Sequence, residues 1–112
     1  IIIDFKNNFL PPHFHKKLSE SHHIMEGKLK VLIFNTKGQI INNYILSKTN
    51  NVMDRVEKGG CHLLMAITKI VIYHEVNKGP FNRKKPDMFI PKWFEKLDKP
   101  KKDIFYKKMY KI

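Results

Sequence analysis

The apolar residues of this chain are concentrated in residues 28–78, the only segment dense enough in them to build a hydrophobic core. A chain of 112 residues supports one domain with a modest core, not two independent ones. We therefore predict three segments: an extended N-terminal arm over residues 1–27, a small α+β core over residues 28–78, and a basic, aromatic C-terminal extension over residues 79–112.

The strongest local signal in the core segment is a β-hairpin. The run KLKVLIFN is followed by TKG and then by QIINNYILS, which gives two strand-like runs around a tight reversal. Asn35 and Gly38 suit the first and fourth positions of a type I turn, and Gly38 can adopt the positive φ of a bulge. Both faces of the first strand are largely apolar, so at least one must be covered by another element or a partner.

The rest of the core segment favours helices. Asn50 or Asn51 can cap a short helix, VMDRVEK, which Gly59 and Gly60 would end. The run CHLLMAITKIVIYHEV has the length and apolar stripe of a four-turn helix, although its second half, TKIVIYHEV, is equally typical of a strand. With the helix preferred, we predict an α+β fold with a hairpin-plus-helix core. This order resembles, in topology, small α+β modules of ribosomal and regulatory-complex proteins, including the roadblock type.

Prolines shape both ends of the chain. Pro11 and Pro12 forbid a continuing helix, which favours an extended arm at the N-terminus. In the C-terminal extension prolines recur at intervals that leave room only for short helices: Pro86, Pro91 and Pro100. We predict one short helix over KWFEKLDK, after Pro91, and a second over residues 101–112.

The chain carries a formal net charge of +12, from 22 basic and 10 acidic residues. This excess favours a polyanionic partner such as nucleic acid or an anionic membrane surface. All the basic residues except Arg55 and Arg83 are lysines, which contact phosphates as point charges rather than reading bases. No window has the roughly 18 uninterrupted apolar residues of a membrane span.

Aromatic rings alternate with lysines in the closing stretch FIPKWFEKLDKPKKDIFYKKMYKI, residues 89–112. So many exposed rings would create aggregation-prone patches, so we predict that the extension docks on a partner surface. The alternative is that it folds back on its own hairpin and helix. The predicted docking residues are Phe89, Trp93, Phe94, Phe105 and Tyr106. The predicted contacts to RNA phosphates are Arg83, Lys84, Lys85, Lys101, Lys102, Lys107 and Lys108.

Four histidines fall close together in the N-terminal arm: His13, His15, His22 and His23. Imidazole is a common metal ligand, but a zinc site also needs a structured frame and usually cysteine or carboxylate ligands. The arm offers two prolines and no matching pair downstream except Cys61 and His62. We therefore predict solvated or RNA-facing histidines, with no metal and no cofactor.

The pattern of nucleophiles and glycines does not indicate an enzyme. Cys61 and His62 are adjacent, and adjacent residues on a helix do not face each other, so we predict that they serve packing. Neither phosphate-loop pattern, GxxxxGK[ST] or GxGxxG, occurs in the sequence.

These features together predict a non-catalytic structural subunit of a large ribonucleoprotein, a mitochondrial ribosomal protein that contacts rRNA phosphates and neighbouring ribosomal proteins. The alternative is a peripheral accessory subunit of a mitochondrial inner-membrane complex, a respiratory complex or ATP synthase, with the basic tail on anionic headgroups. A small enzyme has the least support. The single cysteine favours a reducing compartment, and we predict a mitochondrial or otherwise a cytoplasmic location.

Overall fold

A computed structural model describes residues 1–77, 84 and 86–112 of the chain. Its elements form two antiparallel sheets, a four-stranded sheet in the order β1-β7-β2-β5 and a three-stranded sheet in the order β4-β3-β6. In chain order the elements are β1 Ile2–Phe5, β2 Glu20–Glu26, β3 Leu29–Phe34, β4 Ile40–Leu46, β5 Met53–Val56, β6 Cys61–Ala66, β7 Ile70–Asn77, α1 Lys92–Glu95 and α2 Lys99–Lys111.

The predicted β-hairpin is confirmed as β3 and β4. The turn closes with the Gly38 amide donating to the Asn35 carbonyl at 3.1 Å, and Gly38 has a φ of +85°. Both apolar faces of β3 are covered, one by the four-stranded sheet and the other by the C-terminal helices. Its side chains alternate between a first core between the two sheets, which holds Leu29 and Val31, and a second core beneath the helices, which holds Leu32 and Phe34.

The predicted four-turn helix is wrong, because its residues form strand β6, a turn over residues 67–69 and most of strand β7. All six residues of β6 are buried, with Leu64 and Ala66 in the first core and Leu63 and Met65 in the second. A strand that is covered on both faces shows no alternation of polar and apolar residues, so its sequence pattern does not distinguish it from a buried helix.

The predicted short helix VMDRVEK is also wrong. Its residues Met53–Val56 form β5, an edge strand paired with β2. Asn51 does not cap a helix; it has a φ of +55° in the loop before the strand. The residues predicted to form an extended arm contribute β1 and β2, and β2 lies between β7 and β5. The α+β architecture with a hairpin-plus-helix core is therefore replaced by an antiparallel β fold of two sheets.

The C-terminal extension holds two helices, as predicted, but with other bounds: α1 ends at Glu95, and α2 already begins at Lys99. Pro91 precedes α1, and the Asp98 side chain caps α2 by accepting from the Lys101 amide at 3.0 Å. Both helices pack on the three-stranded sheet, where they complete the second core. The buried Lys30 ammonium donates to three carbonyl oxygens at the end of α2, at 2.7 to 3.3 Å. The extension thus folds back on the chain itself, which was the alternative to the predicted docking on a partner surface.

Among the helices of the described residues, none has the length and apolar character needed to cross a membrane.

Candidate metal centre

Four side chains with metal-ligating atoms converge between the two sheets: His13, His15, Glu20 and His62. Each offers one nitrogen or oxygen atom, and these atoms all lie within 4.8 Å of one another. Glu20 and His62 are buried, whereas His13 and His15 are partly accessible. The group is therefore open to solvent on the side formed by the two N-terminal histidines.

Backbone pairing brings these residues together across the sequence. The His13 amide donates to the His62 carbonyl at 3.0 Å, and the His62 amide donates back at 2.9 Å. This pairing extends the three-stranded sheet beside β6, and alternation along an extended segment puts the side chains of His13 and His15 on the same face. Glu20 is the first residue of β2 in the other sheet. Both sheets therefore supply ligands.

Hydrogen bonds fix the three imidazole rings so that the same nitrogen faces the centre. In each ring Nδ1 contacts a backbone carbonyl oxygen, which can only accept, so Nδ1 carries the proton and Nε2 of the neutral ring keeps its lone pair. The carbonyls belong to Pro11 for His13 at 3.2 Å, Asp87 for His15, and Gly60 for His62 at 2.9 Å. Metal-binding histidines are held by the same kind of contact.

The Nε2 atoms of His15 and His62 both face one carboxylate oxygen, that of Glu20. Glu20 Oε2 lies 3.3 Å from His15 Nε2 and 3.0 Å from His62 Nε2. His15 Nε2 is buried and has no hydrogen-bond partner among the residues that the structure describes. Burial, together with the nearby His62, lowers the pKa of His13 to about 4, so this ring is neutral at pH 7. His62 Nε2 is within hydrogen-bond distance of Glu20, whereas His15 Nε2 has no such partner in the described part of the chain, and a bound cation would supply one.

The donor set fits a divalent first-row transition metal. Imidazole nitrogen suits zinc, iron, copper and nickel, and carboxylate oxygen is accepted by zinc and manganese. The orphaned Nε2 of His15 and the oriented rings are the observations of this structure that support the fit.

A second row of polar side chains lies behind Glu20 on the inner face of the four-stranded sheet. His22 on β2 is paired across the sheet with Asp54 on β5 and with Glu75 on β7. Its Nδ1 lies 2.7 Å from Asp54 Oδ1, and Tyr44 donates its hydroxyl to the other oxygen of Asp54. Burial raises the pKa of Tyr44, so the phenol keeps its proton.

The carboxylates around His22 control its charge. Burial acts to lower the pKa of His22, but contacts with Asp54, Glu20 and Glu75 outweigh burial and raise the pKa to about 11. Burial likewise acts to raise the pKa of Glu20, and the contacts with His22 and His62 instead bring it well below its usual range. Glu20 is therefore an ionised carboxylate.

Three ligands of this centre, His13, His15 and His62, were candidates in the sequence, but the predicted absence of a metal site left them unconnected. Glu20 was not a candidate, and His62 was placed beside Cys61 on a helix. On a strand these two neighbours point to opposite faces, so Cys61 packs in the second core, as predicted, while His62 faces the centre. Burial raises the pKa of Cys61 to about 11. His23 lies exposed on the outer face of β2, away from the centre.

The predicted RNA-contacting residues are spread over the surface of the C-terminal extension. Lys84, Lys101, Lys107 and Lys108 are exposed, and Lys102 is half-buried with its ammonium 5.1 Å from the centre of the Phe94 ring. Arg83 and Lys85 lie outside the described residues. None of the described members of this set contributes to the metal centre.

The predicted docking residues are aromatic and lie mostly against the second core. Phe94 and Tyr106 are buried in it, and Trp93 and Phe105 are partly buried against it. Phe89 is exposed and stacks on Phe14 with the ring centres 5.7 Å apart. Contact roles for these residues and for the basic residues stay predictions, as do the three-segment division and the mitochondrial location.

No model of a known protein family matches the sequence, and neither does any curated protein. Solved structures do match. The capsular polysaccharide assembling protein CapF from Staphylococcus aureus is 16% identical, with a TM-score of 0.71 over 80% of this chain and 26% of its own. Oxalate decarboxylase from Lactobacillus farciminis is 18% identical, with a TM-score of 0.63 over 86% of this chain and 27% of its own. The chain has a cupin-like jelly-roll fold.

An oxalate oxidase bound to the substrate analogue glycolate shares this cupin fold at 17% identity, with a TM-score of 0.60 over 96% of this chain and 53% of its own. The 11S globulin procruciferin from Brassica napus shares it at 11% identity, with a TM-score of 0.64 over 94% of this chain and 26% of its own. At these identities the likeness concerns the fold. The chain spans about a quarter of the length of the CapF chains that it matches.

The cupin fold overturns the functional prediction. A ribosomal subunit that binds rRNA and ribosomal proteins is wrong, and so is the alternative of a respiratory or ATP synthase accessory subunit, because the matching structures are cupin-fold proteins. The non-catalytic assignment is also overturned, since oxalate decarboxylase and oxalate oxidase are among the proteins with this fold.

Proposed function

We propose that this cupin-fold chain binds one divalent transition metal ion and that the metal centre is its functional site. The protein ligands are His13, His15, Glu20 and His62. The observation that carries the proposal is the convergence of these four ligand atoms within 4.8 Å, with every histidine Nδ1 held by a backbone carbonyl. That arrangement leaves each Nε2 directed for coordination before any ion arrives.

The same centre supports a metal-dependent enzyme that acts on a small carboxylate. A bound metal ion supplies Lewis acidity toward an oxygen-donor substrate. The three imidazoles would hold the ion, and ionised Glu20 would offset part of its charge. The net charge of +12, first interpreted as a sign of RNA, also raises the local concentration of small anions. The structural neighbours named as oxalate decarboxylase and oxalate oxidase, the latter bound to the substrate analogue glycolate, favour this substrate class.

Metal analysis of the purified chain tests the metal centre. After reconstitution with Mn²⁺, Co²⁺ or Zn²⁺ and removal of free ion, we expect about one bound ion per chain for one of these metals, as a single four-ligand site requires. His62→Gln and Glu20→Gln should lose that ion. The matched control is His23→Gln, which changes an exposed histidine on the outer face of β2 and should retain it. Binding that persists unchanged in His62→Gln contradicts the site.

The catalytic part of the proposal needs its own measurement. The loaded wild-type chain is incubated with oxalate, glycolate and related small carboxylates, and product formation is followed by nuclear magnetic resonance. We expect turnover of at least one of them by the wild type and by His23→Gln, and none by His62→Gln. A loaded wild-type chain that turns over none of these acids refutes the carboxylate substrate class while leaving the metal centre intact.

A further inference from the structure

We propose that His22 is a positioning residue that sets the orientation of the Glu20 carboxylate at the metal centre. The inference rests on the proposed metal site and adds to it a residue that is not one of the four ligands. It predicts that metal affinity depends on a side chain that does not contact the ion.

The ring of His22 is held rigidly from one side. Its Nδ1 lies 2.7 Å from Asp54 Oδ1, and its backbone amide donates to the same oxygen at 3.2 Å. The second oxygen of Asp54 accepts the Tyr44 hydroxyl. With both of its oxygens engaged, Asp54 cannot rotate without breaking contacts to two residues, so His22 has a fixed support.

The opposite nitrogen of the same ring faces the ligand carboxylate. His22 Nε2 lies 3.6 Å from Glu20 Oε2 and 3.7 Å from Glu75 Oε1. Glu20 Oε2 is also the atom that faces His15 and His62. His22 is fully buried, and the edge of Tyr73 packs against its ring with the centres 5.8 Å apart. The ring therefore lies directly behind the oxygen that would meet the metal.

The same geometry has an alternative explanation, a second metal ion bound by Glu20, His22 and Glu75, because their three ligand atoms also lie within 4.8 Å of one another. Two observations favour positioning. This group offers only three ligands and shares Glu20 with the complete four-ligand centre. The ring of its histidine is also already held through Nδ1 by Asp54 at 2.7 Å, while its Nε2 contacts Glu20 and Glu75 only at 3.6 and 3.7 Å, beyond hydrogen-bond distance.

Cobalt binding separates these roles, because the visible spectrum of bound Co²⁺ reports the ligand arrangement in addition to affinity. We expect one Co²⁺ per wild-type chain. His22→Leu removes both nitrogen contacts and should bind one Co²⁺ with about 10–100-fold lower affinity and a shifted spectrum, the usual cost of losing a support for a metal ligand. His22→Gln, which keeps a polar group, should recover part of the affinity. His23→Leu on the outer face of β2 is the matched control and should behave as the wild type.

Tyr44→Phe provides a test that does not depend on the folding of His22→Leu. It deletes only the hydroxyl that holds Asp54, and it should shift the cobalt spectrum in the same direction by a smaller amount. An unchanged affinity and spectrum in folded His22→Leu overturns the positioning role and leaves the metal site standing. Two ions in the wild type and one in His22→Leu would make His22 a ligand, which also overturns it. A wild type that binds none of Co²⁺, Mn²⁺ and Zn²⁺ overturns the metal site and this inference together.

Discussion

The stability of a Phe94→Ala chain distinguishes between a C-terminal extension that completes the protein's own core and one that packs only on a partner protein. Phe94 is 3% exposed in the second core, with the ring centres of Phe105 and Tyr106 at 5.3 and 5.8 Å. If these contacts hold the extension on the sheet, the substitution must weaken the isolated chain. If a partner surface normally covers Phe94, the substitution leaves the free energy of unfolding of the isolated chain unchanged.

The expected loss is about 3 kcal/mol in the free energy of unfolding. Substitution of a buried phenylalanine by alanine costs about 3–5 kcal/mol, and the larger values belong to sites that cannot relax. Phe94 lies on the one-turn helix α1, close to the protein surface, so its surroundings can partly close the cavity. For a domain of this size a loss of about 3 kcal/mol lowers Tm by roughly 12 °C.

Urea unfolding of the isolated chain, followed by the fluorescence of Trp93, measures this loss. Trp93 is the only tryptophan and packs 5.2 Å from Phe34, so its emission reports the second core directly. Ile104→Ala on α2 is the matched control, because Ile104 is 65% exposed and its truncation should stay within about 0.5 kcal/mol of the wild type. A Phe94→Ala chain as stable as Ile104→Ala would refute the reasoning and restore the docking prediction.

Two further predictions concern the metal-free chain. The pKa of His22 is raised from 6.5 to about 11, so the stabilisation by the charged ring is complete below pH 6.5 and is lost as the pH rises toward 11. The urea concentration at the midpoint of unfolding should therefore fall between pH 6.5 and pH 11. An equally steep fall in His22→Gln would contradict this prediction. Gly38→Ala and Gly59→Ala both place an alanine at a positive φ, which costs about 1–2 kcal/mol in each case. At Gly38 the new methyl group would also lie 2.7 Å from the Trp93 ring, whereas at Gly59 it would meet no described atom within 4 Å. Gly38→Ala should therefore be the less stable of the two in thermal unfolding, and equal Tm values would show that Trp93 moves aside freely.

The parts of the fold that could be predicted from sequence depend on neighbours in the chain. The β3–β4 turn needs Asn35 and a positive φ at Gly38, both of which lie within four residues. Helix α2 has its cap, Asp98, immediately before it. In each case the stabilising contacts are local, so the sequence pattern is sufficient.

The parts that were missed depend on contacts between distant segments. Strand β6 is apolar on both faces because a sheet covers one and helices cover the other, and no local pattern reports that. The metal centre joins His13 and His15 to His62, and only the pairing of two strand backbones brings them together. The alternate spacing of His13 and His15 was a usable signal, since it places both rings on one face of an extended segment.

The position of Cys61 has a practical consequence. It is the only cysteine of the chain, it is buried, and it immediately precedes His62 on β6. A thiol reagent can modify it only when β6 separates from its neighbours, because the folded environment shields the thiol and disfavours the thiolate. The rate of alkylation of the Cys61 thiol therefore reports how often the strand that carries His62 opens. Comparing the rates with and without an added ion measures how much the ion stabilises this strand against local opening.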